Sequence, residues 1–241
     1  MIFQNISKEF SLIFRNIQSR RGHFHPDKQQ NFVLQNILQE KDFKQIRELI
    51  LKNRSLFLRQ DSTVRKGRTI GGHELRNSPL RKLVQLIDCN EFLEEVRSNT
   101  GIHDLQFVPE ADTNRLSLLD YSNEGGGIDW HVDGTIYLED RWAGILTIIE
   151  DIKELDSKLE LNPHGQQKTF PVSKMINTLV LFQGDQVPHR ARPMLKDEER
   201  IVVSLLFSPN PKRTNNPILR LYQAWVNYFF TEIQGLNFYF I

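Results

Sequence analysis

The sequence predicts a mainly β fold with flanking helices (an α+β chain), on three observations. Short runs rich in β-branched and aromatic residues recur between about 105 and 208, with Gly, Pro, Asn and Asp between them. Before that stretch, apolar residues recur every three to four positions, the spacing of helices that bury one face. The chain has 241 residues, 39% hydrophobic and 25% charged, a composition typical of soluble globular proteins. A chain of this length buries roughly 70–75% of its extended surface, enough for one sizeable core.

The elements follow in order. Phe3, Ile6, Phe10, Phe14 and Ile17 share one helical face, and Lys8, Glu9 and Arg15 break any apolar signal core. A polar loop from Arg20 to Gln30 completes an N-terminal helical extension, 1–30. Phe32–Leu38 is an apolar run fit for a strand. Over Gln39–Asn53, Phe43, Ile46, Leu49 and Ile50 fall on one helical face. Leu56–Leu58 is a second short strand. Arg59–Ser78, polar and carrying Gly67, Gly71 and Gly72, reads as a long loop, and Pro79–Asn99 as one helix or a broken pair. Strands are then expected at Leu105–Val108, Leu116–Tyr121, Ile145–Ile149, Lys158–Leu161, Lys168–Val172, Thr178–Phe182 and Ile201–Phe207, as in a sandwich or barrel. The main domain is therefore 31–210, with its β-core at about 105–208. A hydrophobic C-terminal helix or tail, 211–241, is expected to pack on that core. Arg220, Gln223, Asn227, Glu232 and Gln234 interrupt its apolar stretch, so it does not read as a transmembrane segment. Homodimer contact and peripheral membrane contact through 217–241 are its other candidate uses.

Charge and cysteine content narrow the partners. The 31 basic and 30 acidic residues leave a net charge of +1, so no nucleic-acid partner is expected. Cys89 is the single cysteine, in an apolar segment, and reads as a structural thiol in a reducing, cytoplasmic setting.

The chemistry concentrates in two segments. In Gly125-Gly-Gly-Ile-Asp-Trp-His131-Val-Asp133-Gly134, an extended chain presents His131 and Asp133 on the same face. His189 follows the apolar run Thr178–Phe182. Two histidines and one carboxylate, with the other coordination positions open, make the facial triad of non-haem Fe(II) oxygenases. Arg200 shares a strand face with Val202 and Ser204, and a cation in so apolar a strand calls for an anion, with a carboxylate as its bidentate match. Gly125–Gly127 lacks the Lys-Ser/Thr of a phosphate loop and reads as flexible backbone ahead of the metal strand. His23 and His25 lie in a polar loop with no third ligand in view, and His73, His103 and His164 show no partner pattern.

Taken in order, Leu116–Tyr121, Gly125–Gly127, His131-Val-Asp133, Ile145–Ile149, Thr178–Phe182, His189 and Arg200 resemble the Fe(II)/2-oxoglutarate-dependent dioxygenase superfamily, in particular its prolyl-4-hydroxylase-like branch. The resemblance covers about residues 32–208. It implies a double-stranded β-helix, the jelly-roll or cupin-like core. It also implies Fe(II) on His131, Asp133 and His189, 2-oxoglutarate as co-substrate with O2, and decarboxylation to succinate and CO2. Arg200 would hold the distal carboxylate of 2-oxoglutarate, with Tyr121 and Ser204 as further co-substrate contacts. Trp130, Thr135, Tyr137, Arg141 and Arg192 flank the triad as candidate substrate contacts. One departure stands out: the Gly-Gly-Glu-Leu pattern usual before the fourth core strand is Asp156-Ser-Lys-Leu-Glu-Leu161 here. Relatives that transfer halide lack the carboxylate, so Asp133 argues for a hydroxylase over a halogenase. The expected reaction is oxidation of a C–H bond in a small molecule such as an amino-acid derivative or natural product. A peptidyl hydroxylase is the alternative substrate class, and a non-catalytic cupin-type binding protein is the alternative function.

Overall fold

The computed structural model describes Glu9, Leu12, residues 31–59, 61, 65–218, 220 and 221. Its frame is a pair of antiparallel sheets. The larger runs in the order β1-β10-β8-β12-β6-β4-β2, with the short β5 also on β12. Its strands are β1 (Asn31–Gln35), β2 (Leu58–Arg59), β4 (Arg68–Gly71), β5 (Gln106–Phe107), β6 (Leu116–Asp120), β8 (Trp142–Asp151), β10 (Thr178–Gln183) and β12 (Glu199–Ser208). The smaller sheet runs β3-β7-β11-β9, from β3 (Arg65–Lys66), β7 (Gly127–His131), β11 (His189–Ala191) and β9 (Leu159–Leu161). This is the mainly β jelly-roll architecture expected from the sequence.

Strand β12 shows why the large sheet forms. Ile201, Val203, Leu205 and Phe207 enter the main hydrophobic core, while Arg200, Val202, Ser204 and Leu206 line a cavity on the other face. Both faces are covered, so β10 is buried at every position and reads as a continuous apolar run. The helices cover the core-side face. They are α1 (Glu40–Lys52), α2 (Gly72–Arg76), α3 (Arg81–Ile87) and α4 (Asn90–Thr100). Phe43, Ile46 and Ile50 of α1 and Phe92, Leu93 and Val96 of α4 pack into the same core as Leu146, Leu179 and Val203. Helix α1 places Glu40 and Asp42 in its first turn and Lys52 in its last, matching the helix dipole. Helix α4 stops at Gly101, whose φ of 72° is the left-handed stop that glycine takes without strain.

Several expectations need correction. Arg59–Ser78 is not one loop: it holds β3, β4 and α2, because Thr69 and Ile70 are buried against β6. Of the two readings of Pro79–Asn99, the broken pair is the one found, α3 and α4 interrupted at Asp88–Cys89. Leu56 ends a 3-10 turn, and the strand begins only at Leu58. Lys168–Val172 makes two isolated bridges rather than a strand, at Lys168 and Pro171. Cys89 is half-buried at the rim of the main core, and burial pushes its thiol pKa up. The helix expected within 1–30 and most of the tail helix lie outside the described residues. At their edges, Glu9 accepts hydrogen bonds from the Asn215 N–H at 2.8 Å and the Thr214 hydroxyl. Among the described residues, no helix is long and apolar enough to cross a membrane.

Candidate iron centre and its cavity

Strands β7 and β11 pair antiparallel with His131 directly opposite His189, so their rings stand side by side, centroids 4.1 Å apart. Each ring is oriented by its own backbone. Nδ1 of His131 donates to the Asp129 carbonyl at 2.8 Å, and Nδ1 of His189 donates to the Val187 carbonyl at 2.9 Å. With Nδ1 carrying the proton, Nε2 of each ring keeps its lone pair for a metal. Oδ1 of Asp133 lies 4.0 Å from Nε2 of His131 and 3.9 Å from Nε2 of His189. A ligand atom from each of the three residues lies within 4.8 Å of the other two.

The electrostatics suit a cation. Burial and the neighbouring His131 push the pKa of His189 down to about 4, so its imidazole is neutral near pH 7. Burial raises the pKa of Asp133, but Arg141, His189 and His131 outweigh it and the carboxyl stays below its ordinary value. Two imidazole nitrogens and one carboxylate, on short strands facing a cavity, fit iron(II) with positions left open.

A backbone circuit places Asp133. Its N–H donates to the Gly184 carbonyl at 2.8 Å, and the Gly184 N–H donates to the Arg141 carbonyl at 2.9 Å. The Arg141 guanidinium closes the circuit, with Nε 3.5 Å from Oδ2 of Asp133 and Nη1 donating to the Gly134 carbonyl. A Cβ at Gly184 would stand 2.4 Å from Oδ2 of Asp133, so a larger residue there would displace the carboxylate or the strand end. Arg141 and Gly184 thus hold Oδ2 from behind while Oδ1 faces the histidines.

The triad opens on a cavity of about 390 Å³ between the two sheets, also lined by Tyr121, Arg200 and Ser204. Arg200 is 1% exposed. Its Nε donates to Oε1 of Glu150 at 3.0 Å, and its Nη2 is buried with no hydrogen-bond partner. The anion expected opposite Arg200 is thus supplied in part by the chain itself. Glu150 is fixed in turn by the Ser157 hydroxyl, at 2.7 and 2.9 Å, and by the Lys158 N–H at 2.9 Å. A buried guanidinium nitrogen without a partner is costly, and a ligand carboxylate in the cavity would satisfy it. Tyr121 is buried beside it, its N–H bonded to the Arg200 carbonyl at 2.9 Å, and burial raises its hydroxyl pKa. Ser204 sits four residues further along β12, about 13 Å away by strand rise. Ser204 also lines the cavity, next to Ser117 on the adjacent strand β6.

Of the candidate substrate contacts, only Arg141 lines this cavity. Trp130 is 39% exposed and carries the Arg190 guanidinium 4.7 Å from its ring centroid. Tyr137 is fully buried and donates its hydroxyl to Asp112, while the Thr135 hydroxyl accepts the Tyr137 N–H at 3.2 Å. Arg192 pairs with Glu154 at 2.6 Å and Glu160 at 3.0 Å. Sequence reasoning missed Gly184, Glu150, Ser117 and Arg65, all of them beside or on the cavity wall. Gly184 had one usable sign, a glycine just past the apolar run Leu179–Phe182. Arg65 had none, because its segment reads as a loop.

Solved structures share this architecture. A Pseudomonas putida prolyl-4-hydroxylase superposes with a TM-score of 0.55 at 14% identity, over 82% of this chain and 98% of that one. The epimerase SnoN from nogalamycin biosynthesis, solved with Fe3+, alpha ketoglutarate and nogalamycin RO, gives 0.53 at 12% identity over 82% and 83%. A 2OG-Fe(II) oxygenase family oxidoreductase from Burkholderia pseudomallei gives 0.57 at 10% identity over 85% and 94%. No family profile matches the chain, and no curated protein matches it in sequence. The chain has the fold of the Fe(II)/2-oxoglutarate-dependent oxygenase superfamily. Its candidate iron site is His131, Asp133 and His189, at the place where the two sheets face each other.

Proposed function

We propose that the protein is an Fe(II)- and 2-oxoglutarate-dependent oxygenase that hydroxylates a C–H bond of a small molecule. One observation carries this reading. A His-Asp-His cluster with both Nε2 atoms turned inward shares a single cavity with a buried guanidinium whose Nη2 lacks a partner. That is the pair of features a metal-chelating 2-oxo acid with a second carboxylate requires. Iron with 2-oxoglutarate and O2 supplies the oxidising chemistry, and 2-oxoglutarate leaves as succinate and CO2. The chain's own residues do the rest. His131, Asp133 and His189 hold the metal, and Arg200 and Tyr121 orient the co-substrate. Val202, Ile145 and Leu159 keep the chamber apolar, and the buried walls exclude water.

A cavity of about 390 Å³ lies at the low end of small-molecule sites and must hold 2-oxoglutarate as well. This supports a small substrate or a single protruding group. Ser204 and Ser117 supply hydroxyls on the wall beyond the co-substrate, which favours a polar substrate such as an amino-acid derivative or an oxygenated natural product. The exposed Trp130 with Arg190 stacked on it supports a second reading, a peptide laid along β7 and β11 with one side chain inserted. Incubation with Fe(II), 2-oxoglutarate and O2 should release succinate slowly without substrate, and faster with a true substrate. Metal uptake with no succinate would support the non-catalytic cupin-type metal- or ligand-binding protein instead.

A further inference from the structure

Strict alternation does not describe β7. Ile128 and His131 are three positions apart, so a regular strand would turn them to opposite faces, yet both line the cavity. The register explains it. His189 lies opposite His131 and Ala191 opposite Ile128, so the single residue Arg190 faces two, Asp129 and Trp130. That is a β-bulge in β7, and bulges beside functional sites re-aim a side chain. Here the side chain is a candidate metal ligand, and the carbonyl of the bulge residue Asp129 accepts its Nδ1–H at 2.8 Å.

Side chains close this bulge. Between His189 and Ala191, alternation turns Arg190 the other way. Its guanidinium lies 4.7 Å from the Trp130 ring centroid, and its Nε donates to Oε2 of Glu160 at 2.6 Å. Glu160 is directly opposite Arg190 on β9 and is buried. Nε of Arg192 lies 3.0 Å from its other oxygen. One guanidinium thus ties β7, β11 and β9 together at the level of the bulge. The backbone ladder does this poorly there, because a bulge leaves its extra residue unpaired.

From this geometry we infer that Trp130, Arg190 and Glu160 form a clasp that fixes the bulge and, through it, the direction of the His131 ring. Trp130 and Arg190 are positioning residues, each next to a metal ligand in sequence and neither a member of the triad. The inference rests on the proposed iron site and adds what holds it in shape. With the clasp closed, the ring is already aimed. With it open, the bulge has to be ordered as the metal arrives, and that cost lowers the affinity.

The test is calorimetric titration of the metal-free full chain with Mn(II), beside melting curves of the same metal-free chains. Neither substrate nor 2-oxoglutarate is present, so any docking role of Trp130 is not read. Trp130→Leu removes the aromatic face and should weaken Mn(II) about fivefold. Arg190→Gln removes both the stack and the ion pair and should weaken it about tenfold. Glu160 keeps Arg192 in that variant, so the metal-free melting temperature should stay near the parental one. Trp130→Phe and Arg190→Lys should each recover most of the loss. Because the two residues act through one contact, Trp130→Leu with Arg190→Gln should bind about as Arg190→Gln alone does. Parental Mn(II) affinity in Arg190→Gln would overturn the inference, as would losses that multiply in the double variant or that the conservative variants fail to recover. A loss of affinity that only accompanies a clearly lowered metal-free melting temperature would also overturn it, marking the clasp as general structure. If the unmodified chain binds no Mn(II), the proposed function fails and takes this inference with it; if it binds Mn(II) and the variants match it, the inference alone fails.

Discussion

The two sheets carry the two halves of the candidate site in opposite ways. The large sheet holds Arg200 in β12, a ten-residue strand paired along most of its length with β8 and β6 and backed by the main core. The small sheet holds the metal ligands on strands of five and three residues, with Asp133 beyond the end of β7. On the large sheet, position follows from core packing, and a functional change is also a stability change. On the small sheet, position follows from a few backbone hydrogen bonds and one glycine. There, function can be removed while the core stays intact.

The sharpest way to break this contrast is to remove a metal ligand. His131→Ala and His189→Ala should each abolish high-affinity Fe(II) binding and turnover. Thermal unfolding of metal-free His131→Ala should stay near that of the metal-free parent, because its ring is partly exposed, while His189→Ala should lose slightly more, since its buried ring packs 4.6 Å from Phe182. Isothermal titration with Fe(II) or Mn(II), paired with a melting curve, reads both. A ligand variant that keeps parental metal affinity would remove that residue from the site, and one that fails to fold would remove the contrast.

Arg200→Ala should behave differently. It takes the cation from a buried pair and leaves Glu150 nearly inaccessible without it. Breaking a buried pair on one side costs about 3–5 kcal/mol. Stability and 2-oxoglutarate binding should therefore fall together, while metal affinity in the folded fraction changes little. Urea unfolding gives the first, ligand titration the second. A variant as stable as the parent that binds 2-oxoglutarate normally would remove both roles.

How far the sequence shows these two regions differs for the same reason. The large sheet is legible from composition, because β10 and the apolar face of β12 are long runs that only a buried strand explains. The small sheet is legible only through its chemistry. Gly127–His131 and His189–Ala191 carry no strand periodicity, and His-x-Asp followed by a distant His marks them instead. What stayed hidden is what tertiary structure alone supplies. Arg65 and Gly67 sit in a stretch that reads as a loop, and its strands exist because β4 is buried against β6. Glu150 looks like an acidic strand end until Arg200 is placed opposite it in register. Thr135 and Tyr137 follow the triad in sequence, but Tyr137 turns to Asp112 and away from the cavity.

Gly184→Ala tests the small sheet without touching a ligand. The new methyl would stand 2.4 Å from Oδ2 of Asp133, so the carboxylate or the strand end must move. Changes in the groups that orient metal ligands usually cost about 10- to 100-fold in metal affinity. The expected result is a loss in that range, with the fold retained and 2-oxoglutarate affinity of the metal-saturated chain nearly unchanged. Parental metal affinity in Gly184→Ala would show that Asp133 is not held by this close approach.

The smallest expected effect belongs to Arg141→Gln, and it separates charge from shape in the same circuit. Arg141 contributes its carbonyl to Gly184 whatever its side chain, so the backbone path to Asp133 survives the substitution. What is lost is the guanidinium 3.5 Å from Oδ2, foremost among the groups that hold the Asp133 carboxyl below its ordinary pKa against burial. That contact is long and Nε makes no hydrogen bond, so its worth lies near the low end for charged partners, about 1 kcal/mol. Metal affinity near pH 7 should then fall about fivefold. The sign of the pH effect follows from the same cation. Without it the carboxyl holds its proton to higher pH, so the loss should widen as pH falls and narrow as pH rises. A loss in Arg141→Gln that is independent of pH would assign Arg141 to packing alone, and no loss at any pH would leave Gly184 as the element that orients Asp133.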